Sequence, residues 1–327
     1  MIHNFIFTDQ PPSRDDSTNQ KSFHPHFLLA LRMEYAMLLA THMNRRHLLA
    51  LLPAAAAATA TRSWGKALDT SIVTEAGFTI SVQCWSLKKF SLFEAIEKSA
   101  QAGAQGVEIF AGQTLSPEHK NVKVGHDMPA DMITAMQAHA KKHNIAIVNY
   151  GVVAIPNNEE QARKVFEFAK TLGLYGVSTE SIGSIDVLEK LAKEYDIKVC
   201  FHNHPKPTAL WNPDTILKAI EGRHANLGFC ADLGHWASSG LNPLDVIKKI
   251  APHVHAFHMK DRASITGPTH DEIFGKGIID LGAILDEVRK HGFKGNVTIE
   301  YEHNWDNNVP DITGCVAYLR DYAKKKA

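Results

Sequence analysis

Asp232, His258 and Glu300 each close a short run rich in apolar residues, in "LGFCAD", "VHAFH" and "VTIE". Two carboxylates and an imidazole brought to one point can hold a divalent cation such as Mn²⁺, Mg²⁺, Co²⁺ or Zn²⁺. Without such an ion, crowded titratable groups repel one another or shift their pKa values. A fourth ligand would come from Glu180, or from His202 or His204 of "FHNHP". Any one of these groups can instead pair with a Lys or Arg at a rim, and Asp232 can simply cap the helix that follows it. Lys260, two residues after His258, can polarise a carbonyl or stabilise an oxyanion, with Asp261 as its ionic partner. His235 can orient Asp232 or touch substrate. Glu180, Glu300, Lys260 and His235 are therefore the catalytic candidates. Gln83, Trp85, Glu108, His202, His204, Lys206 and Trp211 are the candidates for substrate contact. Gly234, between Asp232 and His235, is expected to let the chain turn.

These residues need a scaffold that delivers them together. Short β-branched runs near Thr79–Cys84, Gly106–Phe110, Ile145–Tyr150, Gly176–Thr179, Lys198–Phe201, Leu227–Ala231, Val254–His258 and Asn296–Ile299 read as strands. Between them lie amphipathic helical stretches. "SLFEAIEKSAQAG" opens with the Ser91/Glu94 spacing of a capping box, and "NPDTILKAIEG" and "NPLDVIKKI" put Pro in a first turn. About eight strand–helix units over roughly 250 residues is the size of a (β/α)₈ TIM barrel. A doubly wound open sheet is the alternative, but the first strand lacks a Gly-rich dinucleotide fingerprint. Side chains two apart share a strand face. One face carries Gly106 then Glu108, Ser178 then Glu180, Cys200 then His202, Cys230 then Asp232, Ala256 then His258, and Thr298 then Glu300. The other carries Val107, Val177, Val199, Phe201, Phe229, Phe257, Val297 and Ile299. Small residues followed by an ionisable tip suit a barrel interior opening into a mouth; bulky apolar residues suit contact with outer helices.

Composition narrows the function. The chain has 327 residues, with 35 Lys+Arg balancing 35 Asp+Glu, which gives no electrostatic footprint for nucleic acid or an anionic membrane. Its 19 His suit metal or proton chemistry. Cys84, Cys200, Cys230 and Cys315 are too dispersed for a zinc knuckle or a disulfide framework. At the N-terminus, "MNRRHLLALLPAAAAATA" pairs Arg45 and Arg46 with an apolar run of about 13 residues, too short to span a bilayer. It is similar to a twin-arginine export signal over residues 43–67. Met43 is then the expected start, residues 1–42 a spurious or disordered extension, and the periplasm or exterior the destination. A cytoplasmic protein with an Ala-rich leader is the alternative.

"CADLGHW", "HAFHMKD", "VTIEYE" and the preceding "FHNHP" resemble the xylose isomerase-like TIM barrel superfamily, the sugar phosphate isomerase/epimerase family, over residues 78–325. The resemblance implies one domain after the signal segment, with one divalent metal on Asp232, His258 and Glu300. The family's usual Glu at strand five is absent here, which leaves Glu180 or His204 for that place. The implied reaction is proton abstraction beside a carbonyl through an enediolate, giving sugar isomerisation or epimerisation. The alternative is a lyase or dehydratase acting on 3-oxo-glycosides or inosose-like sugars. A non-catalytic periplasmic sugar-binding protein is the reading from another class. Without an arginine cluster at the strand tips, a neutral sugar or oxidised glycoside is expected rather than a sugar phosphate. A homo-oligomer is compatible with all of these.

Overall fold

All eight expected strands form and close into one parallel barrel, each pairing with its sequence neighbours and the last with the first. They are β1 Thr79–Gln83, β2 Gly106–Ile109, β3 Ala146–Tyr150, β4 Gly176–Thr179, β5 Lys198–His202, β6 Leu227–Asp232, β7 Val254–Met259 and β8 Asn296–Ile299. The helices are α1 Leu92–Gln101, α2 Ala130–Lys142, α3 Glu159–Leu172, α4 Ile185–Tyr195, α5 Pro213–Ile220, α6 Leu233–Ser238, α7 Pro243–Ile250, α8 Leu281–Lys290 and α9 Val309–Lys325. A small antiparallel hairpin, Asp261–Arg262 with Asp271–Glu272, follows β7. The structure, a computed structural model, describes residues 73–265 and 269–327. The expected extension (1–42) and signal segment (43–67) lie outside the described residues. Among those residues, no helix is long and apolar enough to cross a membrane.

Local sequence sets the element ends. Ser91 and Glu94 make both halves of the capping box at the start of α1. Asn212 and Asn242 cap α5 and α7, each with Pro in the first turn. There the missing Pro N–H costs no helical hydrogen bond.

The strand alternation sorts side chains as expected. Phe201, Phe229, Phe257, Val177 and Val297 join the apolar core between barrel and helices, while Cys200, Cys230 and Ala256 form a separate small cluster. Inward polar groups of the lower barrel pair in part: Ser81 Oγ lies 2.9 Å from Thr298 Oγ1, and Asn296 donates to Asn149 at 3.0 Å, while Asn149 Nδ2 and Asn296 Oδ1 have no hydrogen-bond partner. Bulky residues would overfill this interior, which accounts for the small residues on that face.

A register shift sets the height of the site. Phe229 of β6 pairs with Val254 of β7, but Cys230 pairs with Ala256, so His255 is an extra residue in β7. Asp232 therefore stands opposite His258; unshifted pairing would put Phe257 there. Such bulges re-aim side chains. Gly228 makes room for this one: a Cβ there would lie 2.3 Å from the His253 carbonyl oxygen and 2.5 Å from the His255 ring.

Candidate active site

At the C-terminal end of the barrel, the end where the barrel fold builds its active sites, His202, Asp232, His258 and Glu300 come together from β5, β6, β7 and the tip of β8. One ligand atom from each lies within 4.8 Å of all the others, and all four residues are buried. His258 Nδ1 is 3.2 Å from Glu300 Oε2, and His202 Nε2 is 3.5 Å from Asp232 Oδ2. Neither of these buried ring nitrogens makes a hydrogen bond. The opposite ring nitrogens do have acidic neighbours: His202 Nδ1 lies 3.1 Å from Glu180 Oε1, and His258 Nε2 lies 3.2 Å from Glu108 Oε2. A carboxylate behind an imidazole fixes its tautomer and turns the other nitrogen's lone pair forward. Two imidazoles backed in this way, with two carboxylates between them, fit a divalent cation. The 3.2 and 3.5 Å separations also agree with ligand atoms at about 2.1 Å from one ion, which lie about 3.0–3.5 Å apart along adjacent edges.

The structure redistributes several sequence expectations. His202, expected at substrate and also an alternative for the fourth ligand, takes the fourth place in the group. Glu180, expected there, sits behind His202, and its Oε1 is also 2.5 Å from His204 Nδ1. Glu180, His202 and His204 form an overlapping group of metal-ligand spacing. Glu108, also expected at substrate, lies fully buried beneath His258. Gln83 donates to the Gly151 carbonyl at 3.0 Å and lies 3.4 Å from His258 Nε2. Trp85 is partly exposed at the mouth and donates its indole N–H to Glu302 Oε1 at 2.9 Å. Lys206 and Trp211 contact each other, with the ammonium 4.0 Å above the ring centroid.

Asp232 both caps and faces the site. Its Oδ1 accepts the His235 backbone N–H at 2.8 Å, starting α6, while Oδ2 faces His202, His235 and Lys260. Lys260 is fully buried and donates to Asp232 Oδ2 at 2.6 Å and to Glu300 Oε2. Gly234 explains how a lysine reaches there. It lies within α6, and a Cβ on it would stand 2.7 Å from Lys260 Cδ. The glycine therefore supplies space for the lysine stem; the turn expected of it is not its role. Asp261 does not pair with Lys260 as expected. It accepts the backbone N–H groups of Gly275, Gly277 and Ile279 at 2.9, 2.9 and 3.0 Å, and so holds the "FGKG" loop.

Charge balance follows from this packing. Burial opposes ionisation of Asp232 and Glu300, but nearby cationic groups, Lys260 among them, outweigh it and hold both carboxyls well below the usual range. Burial likewise opposes the Lys260 ammonium, and Asp232, Glu300 and Glu302 overcome it. Glu180 feels burial too, yet hydrogen bonds from His202 and His204 bring it down to about 2. Burial dominates His235, which is pushed down to about 3 and is uncharged near neutrality.

Sequence reading missed three supporting residues. Asn203 clamps the Asp232 backbone with two reciprocal hydrogen bonds of 3.0 Å. Glu302 Oε2 lies 3.3 Å from Lys260 Nζ, and Asp271 accepts the Glu302 backbone N–H at 2.7 Å. Glu302 shares the inward parity of Glu300 and was legible on that ground. Asn203 points away from the inward face, and no sequence signal marks it.

Residues 180–321 match the family model described as xylose isomerase-like TIM barrel. The inosose dehydratase of Clostridium botulinum is 26% identical over 162 residues, which covers 44% of this chain and 52% of that protein. The chain thus spans about half the length of the curated relatives it matches. A solved structure from Parabacteroides distasonis aligns with TM-score 0.61 at 28% identity, covering 75% of this chain and 99% of that one. A xylose isomerase-like TIM barrel protein from Mycobacterium smegmatis, solved in complex with magnesium, has the same fold (TM-score 0.62, 13% identity, 77% of this chain and 98% of that one).

Proposed function

Because this chain carries a xylose isomerase-like TIM barrel, we propose that its mouth removes a proton beside the carbonyl of a small sugar-like ketone and then expels an oxygen leaving group. The observation that carries this reading is the pair of carboxylate-backed imidazoles converging with Asp232 and Glu300 at the barrel mouth. His202, Asp232, His258 and Glu300 would hold one divalent cation. When bound, that ion supplies Lewis-acid stabilisation for negative charge developing on the substrate carbonyl oxygen.

The chain's own groups then divide the proton work. Glu180 is the accessible carboxylate, since Asp232 and Glu300 are buried. Glu180 takes the proton, and the C–H electron pair moves toward the carbonyl. A carboxylate held at about 2 is a weak base, so the step depends on charge stabilisation at the oxygen, to which the buried Lys260 ammonium contributes. His204, hydrogen-bonded to Glu180, is held above the ordinary histidine value by that bond, although burial opposes it. As an imidazolium it can protonate the departing oxygen. A C–H and a C–O bond break, a C=C bond forms, and water or an alcohol leaves.

Similarity to inosose dehydratases favours elimination as the outcome. Returning the proton to the neighbouring carbon or to the opposite face would instead give isomerisation or epimerisation, the second reading, which shares the first step. The test is incubation of Mn²⁺-loaded protein with inososes, 3-oxo-glycosides and ketoses in D₂O. Loss of water or release of an aglycone supports elimination. Deuterium uptake without loss supports the second reading. Saturable binding with neither would overturn both and leave a sugar-binding protein.

A further inference from the structure

A second metal-type group lies on the outer helical layer. Glu97 of α1, His139 of α2 and His143, which follows the last residue of α2, bring one ligand atom each within 4.8 Å of one another. The two histidines are one helical turn apart. Both Nε2 atoms face a single oxygen, Glu97 Oε1, at 3.4 and 3.7 Å. Those separations exceed the roughly 2.7–2.9 Å of a charge-assisted hydrogen bond. They are close to the edge of a tetrahedron built on an ion with ligand bonds of about 2.0–2.1 Å, which is about 3.3–3.5 Å. His143 Nε2 is buried as an atom yet has no hydrogen-bond partner. The rings are already oriented. His139 stacks on Phe93 of α1 at 3.9 Å and 11°, and the two imidazole centroids are 4.7 Å apart.

We propose that Glu97, His139 and His143 bind a divalent transition metal, Zn²⁺ foremost, with water completing a tetrahedral shell. Two imidazoles and a carboxylate are a borderline donor set of the kind that selects zinc over magnesium or calcium. The site clips α1 to α2, outside the barrel and independent of the mouth chemistry. Binding has a defined cost. His139 Nε2 also lies 3.2 Å from the Phe93 carbonyl oxygen, so the ion displaces that contact and the ring proton moves to Nδ1.

The test separates this site from the mouth. Asp232→Ala removes a mouth ligand, and Zn²⁺ binding is then measured by equilibrium dialysis with metal analysis, with and without His139→Ala and His143→Ala. The expected result is that Asp232→Ala loses one equivalent of zinc when either histidine is also replaced. Glu97→Gln, an exposed change that leaves the fold intact, should weaken the same equivalent by about 10-fold or more, because even outer-shell partners carry that much. Zn²⁺ should also raise the unfolding temperature of Asp232→Ala and have no such effect once His143→Ala is added. Equal zinc content with and without the two histidines, or no zinc on Asp232→Ala, would overturn the proposal whatever the mouth binds.

Discussion

Glu108→Gln is the most informative single change because it leaves all four converging residues in place and alters only the group behind one of them, His258. Glu108 is fully buried inside the barrel. Its Oε2 is 3.2 Å from His258 Nε2 and accepts from Thr298 Oγ1 at 3.4 Å, while Oε1 has no hydrogen-bond partner. Glutamine keeps the volume and one carbonyl acceptor but removes the charge that makes the imidazole a stronger donor toward the site. Losing an outer partner of this kind costs about 10–100-fold in metal affinity, or about 1.4–2.8 kcal/mol. The assay is Mn²⁺ or Zn²⁺ competition against a chromophoric chelator, with the unfolding midpoint followed in parallel. The expected result is weaker binding by that factor with the fold retained. Affinity within about twofold of the parent, in a variant that folds normally, would refute the reasoning that the Glu108 charge strengthens His258 as a ligand.

Three other changes test the supporting structure. Lys260→Met leaves Asp232 and Glu300 buried without their ammonium; removing one partner of a buried pair costs about 3–5 kcal/mol, so chemical unfolding should show a loss of that order, with added Mn²⁺ restoring part of it. Gly228→Ala places a methyl 2.3 Å from the His253 carbonyl oxygen; it should destabilise by about 1–3 kcal/mol and weaken metal binding by shifting His258 against Asp232, whereas an unchanged metal affinity would show that the bulge does not set their alignment. Asp261→Ala removes the acceptor of three backbone N–H groups in the loop 275–279; at about 1.5–3 kcal/mol for each hydrogen bond to a charged group, hydrogen exchange there should accelerate by at least 10-fold while the strand amides keep their protection.

The barrel and most of the mouth were legible in the sequence because strand alternation is a two-residue rule that needs no distances. It sorted Phe229 and Phe257 outward, and Cys230, Asp232 and His258 inward. Parity cannot rank residues that share a face. Glu180 and His202 both sit inward at neighbouring tips, and only the atomic separations place the imidazole within the group and the carboxylate behind it. Nor does parity within one strand reveal its register against the next. The extra residue His255, which draws His258 back level with Asp232, appears only once β6 and β7 are paired. Gly234 shows a third limit: a glycine suggests a turn, but here it is a gap filled by the stem of a lysine that lies 26 positions later in the chain.

His202, Asp232, His258 and Glu300 are expected to grip one cation between them. A crystal of the protein grown with Mn²⁺, with diffraction recorded at the manganese absorption edge, tests this directly. The expected result is one strong anomalous peak within about 2.0–2.4 Å of an oxygen or nitrogen from each of these four residues. An anomalous map with no peak among them, at a manganese concentration that saturates the protein in solution, would contradict it.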